Sequence, residues 1–283
     1  MGLQLIQSDP MDGPAVVDRD RLSLLLGGAA LGLTLGKVVQ LPTQQFGLQV
    51  LGSPLGVQLS TSWLMTLFVV GLVVAGVQSL LDTHPLATGR ARMAVHWVLP
   101  AMTSLMAGAL LAGIDALLLW IPAMGVAVAL LGVVAVNEFH SVDPAAAGQM
   151  GRRVLVAAVS YSLALGFLSL VVGARLRTLV AAPLVLLVCG LLAVRLLWSA
   201  ERRPVQVGLY GALIGLVMAQ CVWVLGYWSI LPLSAGTILL LVFYVLTGVV
   251  QGAWEERLGR RALVEYGLTA LLALVVVLIL RPG

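Results

Sequence analysis

The chain has 283 residues, of which 60% are hydrophobic and only 10% charged, with a net charge of +4. A soluble domain carries about 25% charged residues. No soluble fold of this length hides so much apolar surface, so the solvent for most of the chain is lipid. The positive balance then reports topology and headgroup contact, and no nucleic-acid partner is expected. Cys189 and Cys221 lie in separate apolar segments without a CxxC spacing, so neither a disulfide nor a metal site is indicated.

Residues 1–20 are polar and acidic, with Pro10 and Pro14, and read as a loose cytoplasmic tail. The first apolar helix is expected over 22–39, within a segment 21–41. It is read as a retained helix, because no small-residue cleavage pattern follows it. Gly28, Gly32 and Gly36 recur at intervals of four, a small-residue face that lets another helix come close. Lys37 sits near the outer end, where its stem reaches the headgroups. Residues 42–60 change character. Phe46, Leu48 and Val50 alternate with polar residues or glycine, as do Leu55, Val57 and Leu59 after Gly52-Ser53-Pro54. That pattern predicts a β-hairpin. Its open edges cannot face lipid tails, so it is placed at the outer surface.

Eight more apolar helices are expected, over 62–81, 93–113, 116–136, 154–173, 179–198, 205–226, 230–250 and 262–280. Each has the length that a bilayer core of about 30 Å requires. Pro100, Pro122, Pro183 and Pro232 mark expected kinks, and Gly208, Gly211 and Gly215 give the seventh helix a small face. With the N-terminus in the cytoplasm, twelve basic residues fall in inside loops and four (Lys37, Arg175, Arg177 and Arg281) outside. The positive-inside rule therefore puts the N-terminus inside and the C-terminus outside, and fifteen Arg against one Lys, with Asn137 the single Asn, fit a bacterial source and so its cytoplasmic membrane.

Gly151-Arg152-Arg153-Val154-Leu155-Val156 is echoed 108 residues later by Gly259-Arg260-Arg261-Ala262-Leu263-Val264. The expected architecture is an all-α integral membrane protein of about nine helices. One extra helix and the hairpin precede two parallel four-helix repeats, over 61–176 and 177–283.

All three histidines fall at the cytoplasmic side. His84, His96, Glu138, His140 and Asp143 form the candidate inner-face polar site, since His with carboxylates suits a transition metal or a proton relay, beside a headgroup site or plain polar loops. Glu138 and His140 are two apart, which does not place both on one helix face. If they act together, they must do so from a loop. Glu255-Glu256-x-x-x-Arg260 resembles the first motif of the CAAX-type intramembrane proteases. That family also needs histidines on later helices, and no His follows residue 260. The segment is therefore read as a charged loop. No catalytic residue, metal ligand or cofactor is assigned.

The composition fits a permease-like or lipid-interacting protein with a path between the repeats. The alternatives are a non-catalytic subunit, with partner subunits or a second copy on the glycine faces, and an enzyme acting on lipid headgroups. The bilayer itself is the one certain partner.

Overall fold

A computed structural model describes residues 17–39, 44–50, 53–59, 61–84, 94–143, 149–176, 178–198, 203–227 and 231–254, together with 267, 268, 271 and 275. Among these residues, eight helices are long and apolar enough to cross a membrane. The chain is a helical, multi-pass membrane protein. The tail 1–16, the charged stretch 255–261 and, apart from residues 267, 268, 271 and 275, the expected ninth helix over 262–280 lie outside the described residues.

Helix α1, Arg19–Val38, begins where Asp18 accepts from the backbone N–H groups of Asp20 and Arg21. An aspartate in this position satisfies donors that the first turn leaves open. Strands β1, Gln44–Val50, and β2, Ser53–Leu59, pair antiparallel, with Phe46 opposite Val57 and Leu48 opposite Leu55. Helix α2, Thr61–Leu81, returns through the bundle. The third expected helix is divided into a 3₁₀ turn, Ala94–Trp97, followed by α3, Val98–Ala112. Pro100 has no N–H to give the carbonyl of His96 four residues back, which favours the tighter winding just before it.

Helix α4 spans Leu117–His140, and α5 spans Gln149–Gly173. Both exceed their expected bounds at the end nearest the polar residues. Asn137, Glu138 and His140, expected in a loop, belong to the last turn of α4. The chain then forms α6, Thr178–Leu197, α7, Pro204–Leu225, and α8, Pro232–Trp254. Proline opens both α7 and α8, at a position where the missing N–H costs nothing and the fixed φ is already helical. Between α5, which ends at Gly173, and α6, which begins at Thr178, Arg175 takes a left-handed φ of 47°.

Two apolar cores divide the helices. Leu25 and Ala29 of α1, Val73 of α2, Leu111 of α3 and Leu131 of α4 belong to one. Leu168 of α5, Leu192 of α6, Met218 of α7 and Phe243 of α8 belong to the other, joined by Leu99 of α3 and Val134 of α4. Packing therefore groups α1 with α2–α4 and α5 with α6–α8, which differs from the units drawn from the repeated Gly-Arg-Arg pattern.

Two glycine seams hold these groups together internally. A Cβ added to Gly32 would collide with Val69, and one on Gly28 or Gly36 would press on Leu72 or Met65, so α1 lies close along α2. On the other side, a Cβ on Gly215 would collide with the Leu186 carbonyl, and Gly190 packs against the backbone of Gly211. Here backbone meets backbone, the closest approach two helices can make. Gly208, expected in the same seam, has open space where its Cβ would be. The seam of α7 steps by four through Val207, Gly211 and Gly215, so Val207 takes the place that Gly208 was expected to fill.

Candidate functional site

Helix α4 presents two stripes that run its length and diverge at its last turn. Leu131, Val134, Ala135 and Glu138 are buried and recur at helical spacing. Gly125, Val128, Ala129, Gly132, Val133 and Val136 recur at the same spacing and line a groove of about 680 Å³. Glu138 continues the first stripe into the protein. Asn137 and His140 continue the second into the groove. The two-residue spacing separates Glu138 from His140 on this helix, as it does on any helix.

Glu138 is fully buried, and its carboxylate is held from two directions. Arg195 of α6 donates Nε to Oε1 at 2.9 Å and Nη2 to Oε2 at 2.8 Å. The Nδ1 of His96, on the 3₁₀ turn, lies 2.7 Å from Oε2. A carboxylate only accepts, so this nitrogen carries the proton. Ser141 completes the cluster. Its hydroxyl donates to the Glu138 carbonyl at 2.9 Å and takes a hydrogen bond from Arg195 Nη2 at 3.2 Å. His96 is 5% exposed and Arg195 6%, so water barely screens the group. Two parallel N–H···O bonds from one guanidinium are the strong form of such a pair. Together these bonds tie α4 and the start of α3, from one core group, to α6, from the other.

By sequence alone, Arg195 lies near the end of the apolar run 179–198 and counts among the basic residues of the inner face. Its position in the last turn of α6 resembles a cation placed for the helix dipole. The available signal was its setting in Leu191-Leu192-Ala193-Val194-Arg195-Leu196-Leu197. A charge inside such a run needs a buried partner, and the one acid in the last turn of α4 supplies it.

The remaining candidates are placed separately. His84 is buried with its ring edge-on to Phe139, 4.9 Å between centroids. Burial pushes its pKa below 6.5; Asp143 pulls it back up, and His140 and His96 push it further down. His140 bonds through Nδ1 to the Val136 carbonyl at 2.8 Å. Arg152, in the first turn of α5, donates to the His140 carbonyl at 2.9 Å, which satisfies a carbonyl that the end of α4 leaves open. His96 and Glu138 thus meet, His84 stands one aromatic ring away, and His140 faces the groove. No three His, Cys, Asp or Glu side chains come together to hold a metal ion among the described residues.

At the hairpin end of the bundle a second cavity, of about 290 Å³, lies among α1, α2, α3 and the start of α4. Lys37 lines it, donating to the Ile114 carbonyl at 2.8 Å and standing 3.7 Å from the Asp115 carboxylate.

Buried ion pairs, glycine-packed helices and a groove along a lipid-exposed helix face define a polytopic helical membrane protein. Residues 41–280 match the model of a family described as protein of unknown function (DUF5656), and the chain belongs to that family. No curated protein and no solved structure matches the chain.

Proposed function

We propose that the protein binds a membrane lipid in the groove along α4, between α1 and α5. The carrying observation is the stripe Gly125, Val128, Ala129, Gly132, Val133 and Val136, which ends in Asn137, His140 and Arg152. From Gly125 to His140 the helix rises about 22 Å at 1.5 Å per residue. One leaflet's share of the hydrocarbon core is about 15 Å, so the groove is deep enough for an acyl chain beside a polar end. Small residues keep its wall low, and a cation at the end suits a phosphate. With the charge bias of the loops, that end faces the cytoplasm of a bacterial cell, and the N-terminus lies on the same side.

A path between two repeats has less support. Leu99, Val134 and Leu168 of the first repeat pack in one core with Leu192, Met218 and Phe243 of the second, and Arg195 of the second is bonded to Glu138 of the first. A headgroup enzyme would need a Glu138 carboxylate that substrate can reach, and here it is fully buried between Arg195 and His96. A subunit docking through its glycine faces would need Gly32 and Gly215, which α2 and α6 already cover.

Native mass spectrometry after gentle extraction tests the lipid reading. The expected result is one lipid retained per chain and lost in Ala129→Trp, which fills the groove from its lipid-exposed side, at an unchanged melting temperature. Equal retention by both proteins, or none by either, would overturn it.

A further inference from the structure

We infer that the cavity at the hairpin end is a second binding site, one that takes a phosphate- or carboxylate-bearing group and is independent of the groove. Its volume of about 290 Å³ is at the lower end of small-ligand pockets, the size of a headgroup or a small solute. Three kinds of donor surround it. Lys37 has three ammonium hydrogens, and the Ile114 carbonyl takes one of them. Ser62, in the first turn of α2, brings a hydroxyl. Trp120 is 6% exposed and lines the cavity, to which it brings an indole N–H donor. A tryptophan N–H at a cavity wall is a ready donor to a ligand seated there.

Acceptors are scarce by comparison. Thr66 donates its hydroxyl hydrogen to the Ser62 carbonyl at 2.8 Å. The Asp115 carboxylate stands at the rim, fully exposed and 3.7 Å from Lys37, a distance at which an incoming anion displaces it at little cost. The fold also marks this place. The chain leaves for the strand pair from Val39 and returns at Thr61, and both residues line the cavity.

The test uses the full chain in detergent and in nanodiscs. Inorganic phosphate and acetate are titrated while the protein's thermal shift is followed, and phosphatidylglycerol and phosphatidylethanolamine retention is read by native mass spectrometry. One of these probes is expected to bind, about tenfold more weakly in Lys37→Met and in Trp120→Phe. Binding is expected to persist in Lys37→Arg and Arg152→Gln, and to strengthen in Asp115→Asn. A response to the free anions assigns the site to a solute; retention of a phospholipid alone assigns it to a headgroup. No binding by any probe, or binding indifferent to Lys37→Met and Trp120→Phe, would overturn the proposal. Ala129→Trp, which tests the groove, is expected to leave this binding intact, so the two readings fail separately.

Discussion

The two ends of the bundle each hold an ion pair, and the pairs have little else in common. At the hairpin end, Lys37 and Asp115 stand 3.7 Å apart, with the carboxylate wholly in solvent. At the other end, Glu138 and Arg195 meet at 2.8 Å with both side chains nearly sealed from water. Solvent weakens the first pair and side-chain entropy opposes it. The second pair gave up its hydration to form, so each partner now depends on the other. Burial, with the shorter two-bond guanidinium contact, makes one pair structural and leaves the other adjustable.

Removing one member of the buried pair is the strongest challenge to this contrast. Arg195→Ala leaves the Glu138 carboxylate buried without its counterion and should cost about 3–5 kcal/mol, read as a lowered unfolding midpoint in detergent. Glu138→Leu combined with Arg195→Met removes both charges and should be less damaging than either single change. If the double variant is the worst, the pair is a net stabiliser in its own right, beyond the penalty of stranding one charge.

A smaller effect should follow from pH, and only at the Glu138 end. The native pKa of His84 lies below 6.5, so between the two values the unfolded chain binds more protons than the folded one. Stability is then complete above about pH 6.5 and declines as pH falls through that value toward the lowered native pKa. Melting curves between pH 7.5 and 5.5 should show this decline, reduced in His84→Gln. An unchanged slope in the variant would show that His84 is not the group responsible.

Smallest of all is Asp115→Ala, for which no change in melting temperature is expected. A clear loss there would mean that the exposed pair contributes to the fold, and the contrast between the ends would collapse.

Much of the fold was legible in the chain because the bilayer imposes a simple length rule. Eight of the expected apolar runs are helices within a few residues, and their prolines fall at first turns or on lipid-facing sides. The site was legible in part. His96 and Glu138 were grouped by polarity, and they do meet. The polar stretch after Val136 was read as a loop because hydropathy falls there, yet α4 continues for one more turn. A helix persists through polar residues when one of its faces stays buried, and hydropathy averaged around the helix does not register that face.

The sequence by itself determined the lipid environment, the number of apolar runs and the separation of Glu138 from His140, since helical periodicity fixes that separation wherever the helix packs. Only the tertiary structure decided which helices share a core, that Val207 rather than Gly208 follows the α6 seam, and that Arg195 is the counterion of Glu138. Those outcomes depend on how far helices 57 residues apart in sequence approach and rotate. That is set by packing across the whole bundle, and no local pattern of residues encodes it.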